Sequence, residues 1–129
     1  MVYKVTRLLL WIGAFLFLFE AVIHFFGLPI LEHDKIFLPT HDRYIALFAL
    51  NYAILLILIS TDLKKYEVLF KLTMVSILLA MGIAAFIAYS GGYAHLFPVS
   101  KLDESLRVIG GIACGWYVLT WIFYYLKKE

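Results

Sequence analysis

Four long apolar stretches, at residues 8–28, 44–60, 68–90 and 108–126, constrain this chain more than any other feature of it. A helix rises about 1.5 Å per residue, so about 20 largely apolar residues cross the hydrocarbon of a bilayer. The second stretch is the shortest and reaches that length if Thr40 is its N-cap. In hydrocarbon every backbone N–H and C=O must find a partner inside the protein, and a helix meets that demand within one segment. The expected fold is therefore all-α: a polytopic integral membrane four-helix bundle forming a single domain over residues 1–129.

Composition removes the soluble alternative. Hydrophobic residues make up 64% and charged residues 16% of the 129, and a water-soluble chain this short leaves too much of its surface exposed to hide such a load. The net charge of +2 comes without a basic cluster interleaved with aromatics, which excludes a nucleic-acid partner. A single cysteine, Cys114, allows neither an internal disulfide nor a cysteine-based zinc site. The first stretch follows Lys4 and Arg7 as a signal peptide would, but it exceeds the usual apolar length of about 7–15 residues and no small-x-small cleavage site follows. It reads as a retained span.

The punctuation between the spans is short. Gly27 and Pro29 end the first, Gly91 and Gly92 the third, and Ser100-Lys101-Leu102-Asp103 resembles a capping box ahead of the fourth. Short connections favour up-down-up-down topology. That topology collects Lys4, Arg7, Lys64, Lys65, Lys71, Lys127 and Lys128 on one side and Lys35, Arg43, Lys101 and Arg107 on the other. The excess marks the first side as cytoplasmic, so a multi-pass protein of the cell membrane with both termini inside is expected. Tyr3, Tyr66, Tyr124 and Tyr125 then sit near the inner interface, and Tyr44, Tyr89 and Tyr93 near the outer one.

Lipid tails give helices no hydrophobic reason to associate, so small residues that permit close approach carry the packing. Gly111 and Gly115 form a GxxxG stripe on the fourth span, and Ala80, Ala84 and Ala88 a matching stripe on the third. These stripes face each other or a neighbouring subunit. The phenylalanines of the first span, Phe15, Phe17, Phe19, Phe25 and Phe26, read as lipid-facing or core-filling rather than as a cofactor box.

Ionisable groups inside a span are costly and turn inward. Glu20 lies about 12 Å below the end of the first helix, and Gly13, Phe17, Glu20, His24 and Gly27 share one face, making Glu20 and His24 stacked neighbours. Arg107 on the fourth span and Asn51 on the second lie at similar depth. The expected polar intramembrane centre is thus Glu20, His24, Asn51 and Arg107. One reading makes it structural, a buried Glu20–Arg107 pair with Asn51 bonded nearby; the other makes it a proton or ligand site.

All four histidines fall on the outer half. His24, His33, His41 and His95, with Asp42, form a candidate metal set, since imidazole and carboxylate together suit zinc, copper, iron or nickel. The adjacent pairs His33-Asp34 and His41-Asp42 suit a ligand and its supporting carboxylate. A plain hydrated loop explains the same residues. No nucleophile elbow, phosphate loop or HExxH motif is present, so the catalytic residues, if any, are undefined.

Arg7-Leu8-Leu9-Leu10 ahead of a Phe- and Gly-containing span, His24-Phe25-Phe26-Gly27 at the approach to the first outer loop, and a polar residue inside the second span resemble the DoxX-like group of small four-span membrane proteins. Asn51 stands where that group tends to carry glutamate. The resemblance implies a link to quinone-coupled redox systems in some relatives and no defined activity in most. A small transporter would need a water-filled path past Glu20, which nothing in the sequence demands; the short loops, small-residue stripes, absent catalytic signatures and outer polar residues leave two functions. The first is a small noncatalytic subunit or assembly partner of a larger membrane complex, associating with the lipid bilayer and with other membrane subunits or itself. The alternative is a membrane oxidoreductase component that binds a metal ion or quinone near the outer surface through Glu20, His24, His41 and His95.

Overall fold

The computed structural model describes residues 3–30, 39–89 and 99–126, with side chains for 3–30, 39–86 and 107–126. It contains α1 (Lys4–Phe26), α2 (Pro39–Thr61), α3 (Glu67–Tyr89) and α4 (Val99–Leu126), and no strand among the described residues. Each helix includes a stretch long and apolar enough to cross a membrane. Phe15, Phe26, Phe48, Val68 and Phe86 are among many large apolar side chains more than 60% exposed. Such a surface is stable against lipid tails and not against water. The protein is a multi-pass membrane protein with a four-helix bundle architecture.

The helices begin earlier than the apolar stretches do. α2 starts at Pro39, because proline's fixed φ and missing N–H suit a first helical turn. Thr40, His41 and Asp42 therefore lie in that turn rather than in a loop, and Thr40 is not the cap. α4 likewise already contains Ser100 and Asp103, which moves the helix start upstream of the expected capping box; the side chains of those residues lie outside the described set. α1 ends where glycine allows it. Gly27 adopts φ 65° and ψ 43°, and its N–H and that of Leu28 both return to the Ile23 carbonyl.

α1 and α2 pack along their whole length. The contact stripe of α2 is Asp42, Ala46, Ala49, Ala53, Leu56 and Ser60, spaced by three or four residues and buried throughout. Its alanines let the two backbones approach. Each end of the pair carries a polar fastening. At one end the Arg7 guanidinium donates from Nε to the Ser60 carbonyl and from Nη2 to the Thr61 carbonyl, both at 2.6 Å. Those carbonyls have no partner within their own helix, and a cation is favoured beside them.

α4 joins α1 most closely at Trp116, which meets Phe17 edge-on as well as Gly13. The Trp116 indole packs on Gly13, where a Cβ would collide with ring atoms Cζ2 and Cε2, and its Nε1 donates to the Leu9 carbonyl at 2.6 Å. Gly13 is one helical turn beyond Leu9, so only a residue without a side chain leaves that carbonyl reachable. α3 joins α2 through Tyr52 Oη and Ser76 Oγ, 2.7 Å apart.

The start of α1 and the end of α4 meet at the Arg7 end of the bundle, where the Tyr3 and Tyr124 rings stack with centroids 5.8 Å apart. Leu10, Leu56, Ile59, Phe70, Met74 and Tyr124 form the fully buried centre there. Tyr124 Oη donates to Glu67 Oε1 at 2.6 Å, and Lys71 Nζ meets the same oxygen at 2.8 Å. Towards the other end α3 and α4 lose their neighbours. Residues 78–80, 82–86, 107, 108, 111, 112, 114 and 115 are all exposed. Gly111 and Gly115 would meet no atom within 4 Å on gaining a Cβ. The expected seating of the Gly111–Gly115 stripe against Ala80 and Ala84 is therefore not what the chain does among the described residues; Ala88 lies outside the described side chains. The glycine against which a helix does close is Gly13.

Candidate functional site

The second fastening of the α1–α2 pair is also the most concentrated chemistry in the described residues. His24 stands in the last turn of α1 and Asp42 in the first turn of α2. The helix ends favour these placements, since a cation suits the carbonyl end and a carboxylate the amide end. His24 Nδ1 lies 2.8 Å from Asp42 Oδ1. Its Nε2 lies 3.3 Å from Glu20 Oε2, one turn back on α1. The side chains of His24 and Asp42 are 11% and 13% exposed, that of Glu20 34%.

A ring with one nitrogen facing each of two carboxylates can donate along both lines as an imidazolium and along one as a neutral ring. The same geometry lets a proton pass from one carboxylate to the other through the ring. The arrangement can hold or relay a proton. It also ties α1 to α2 by a charge-assisted bond. Arg43, next to Asp42, reaches back over the Phe25 ring at 5.7 Å and adds a second tie between the same two helices.

The sequence-predicted residues sort themselves around this bridge. Glu20 and His24 come together, and Asp42, expected in the metal set, joins them. Asn51 is exposed on α2: it lies two residues from both Ala49 and Ala53, hence on the far side of the helix from the packed stripe. Arg107 is exposed on α4. Counted from Trp116 over Gly13, it stands about 13.5 Å along the helix, level with Val22 of α1. Depth was therefore well matched, but depth says nothing of which way a residue faces. Among the described residues Glu20 forms its ion pair with His24 rather than Arg107.

Among the described residues no group of three His, Cys, Asp or Glu side chains is placed to hold a metal ion. The geometry explains this for the bridge itself, because Nδ1 and Nε2 lie on opposite edges of the ring and the two carboxylates cannot converge on one point. His41 is exposed; His33 and His95 lie outside the described residues. Cys114 is exposed on α4.

Three features escaped the sequence reading. The Arg7 cap leaves no sequence signal beyond an arginine beside a span. The Gly13–Trp116 contact pairs residues more than 100 positions apart. The stripe Asp42, Ala46, Ala49, Ala53 was legible by the same small-residue spacing applied to α3, and it would have turned Asp42 inward and Asn51 outward. No family model, curated protein or solved structure matches this chain.

Proposed function

We propose that this chain is a small noncatalytic subunit or assembly partner of a larger complex of the cell membrane, with both termini cytoplasmic. The observation that carries the reading is the division of the molecule into a fastened pair and two open helices. α1 and α2 are secured at both ends, whereas α3 beyond Ile77 and α4 ahead of Trp116 offer no buried stripe among the described residues. Small residues on such an open span suit another helix better than they suit lipid. The polar bridge fits this role as the device that keeps the α1–α2 pair in register.

Cys114 is exposed, is the only cysteine, and lies beside Gly115, which makes it a native reporter. A maleimide carrying a photoreactive group, attached at Cys114 in native membranes, is expected to yield adducts with a second polypeptide, either another membrane subunit or a second copy, identified by mass spectrometry. Lipid adducts alone would sink the reading.

The second reading is a DoxX-like oxidoreductase component that handles a metal ion or quinone, and the Glu20–His24–Asp42 bridge favours it because quinone reduction takes up protons. Under that reading His24→Asn abolishes a quinone-linked activity of the native membrane while the protein still folds and assembles. Under the subunit reading it weakens assembly and activity together.

A further inference from the structure

Among the described residues around the Arg7 end of the bundle, Lys4 and Arg7 on α1 and Lys64 and Lys65 in the turn between α2 and α3 are exposed. The bonds from Arg7 to the Ser60 and Thr61 carbonyls bring the two groups to one place, since Lys4 lies one turn below Arg7 and Lys64 follows Thr61 by three residues. Among the described residues, the acidic groups of this end, Asp62 and Glu67, each accept a hydrogen bond. Glu67 accepts from Tyr124 and Lys71, and Asp62 accepts the backbone N–H of Lys65. What faces outward is predominantly cationic.

We propose that this end is a binding surface for the headgroups of anionic phospholipids. Three observations point to a lipid rather than to a soluble anion. The cations stand at the depth of an aromatic belt, with Tyr3, Tyr66 and Tyr125 at the same end and Lys65 Nζ 5.2 Å from the centre of the Tyr66 ring. Directly along the helices from them, Leu8, Val68 and Leu72 are more than 60% exposed or at that value, so an acyl chain finds apolar surface where its headgroup finds charge. Arg7 is held in place by two of its five donors, which leaves a preorganised guanidinium with donors for phosphate oxygens. The surface is distinct from the Glu20–His24–Asp42 bridge, which joins the opposite ends of α1 and α2, and it does not depend on what the chain assembles with.

The test uses the full-length protein, purified and delipidated in a neutral detergent. Thermal unfolding is followed with added dioleoylphosphatidylglycerol, with dioleoylphosphatidylcholine and with sodium phosphate. Phosphatidylglycerol is expected to raise the unfolding temperature at concentrations where phosphatidylcholine and phosphate do not. Its half-saturating concentration should rise about fivefold for each of Lys4→Gln, Lys64→Gln and Lys65→Gln. Arg43→Gln, at the other end, should leave that concentration unchanged. Equal effects of the two lipids, an equal effect of inorganic phosphate, or unchanged phosphatidylglycerol binding in the triple lysine variant would each overturn the proposal. Should the triple variant not fold, sodium chloride decides on the wild type: a phosphatidylglycerol effect that survives high salt is not electrostatic, and the proposal fails.

Discussion

His24 shows how much one side chain can join when both of its nitrogens are used. Removing Asp42 takes one of the two carboxylates from the His24 ring at a largely buried interface, and the loss of a bond to a charged group typically costs about 1.5–3 kcal/mol. Asp42→Ala should therefore destabilise the protein by about 2 kcal/mol. The same change made in a His24→Ala background should cost much less, which a double-mutant cycle by thermal unfolding in detergent would measure. Additive effects would mean that the 2.8 Å contact carries no coupling. Gly13 makes the opposite case, a residue whose value is what it lacks. Gly13→Ala puts a methyl into the Trp116 ring, a rigid neighbour, and breaks the indole bond to the Leu9 carbonyl. Overpacking of this kind costs about 1–3 kcal/mol, and the tryptophan emission should shift as the indole is displaced. A variant with wild-type stability and emission would contradict the contact.

At the scale of elements, the α1–α2 pair behaves as one unit because its fastenings sit at both ends and its middle is lined with alanine. Each fastening complements a helix dipole: Arg7 at the carbonyl end of α2, Asp42 at its amide end. Arg7→Gln removes the fork that reaches two carbonyls, and hydrogen exchange in the last turn of α2 should quicken while exchange near Asp42 stays as it was. Uniform protection in both would show that the cap contributes nothing local. How much of this was legible differs by element. The end of α1 could be read from Gly27 and Pro29 because the cap is a local event, and the same holds for the four spans. The start of α2 could not be read from hydropathy, since Pro39 begins the helix before the apolar residues do. Asn51 and Arg107 were matched to Glu20 by height along an axis, and only the packed stripe of each helix says which azimuth faces inward.

For the whole molecule, the open parts of α3 and α4 away from the Arg7 end change what the glycine stripe should do. A Cβ at Gly111 or Gly115 meets no atom within 4 Å, so with Gly111→Leu and Gly115→Leu the isolated protein should keep its thermal stability while any complex seen in mild detergent is lost. A collapse of the isolated fold would mean that the stripe packs within the chain after all. Orientation is tested separately, by single cysteines at positions 34 and 128 in a chain whose Cys114 is serine. With both termini cytoplasmic, an impermeant thiol reagent on intact cells labels position 34 and spares position 128. Sequence alone determined that this chain spans a membrane as helices, because the cost of an unpaired backbone group in hydrocarbon acts on every residue locally and leaves its record in composition and length. Only the tertiary structure decided which polar groups meet. His24 finds Asp42, Arg7 the end of α2, and Trp116 the bare backbone at Gly13, because partners far apart in the chain are selected by the rotation of each helix about its axis, and that rotation is set by the neighbours against which it packs.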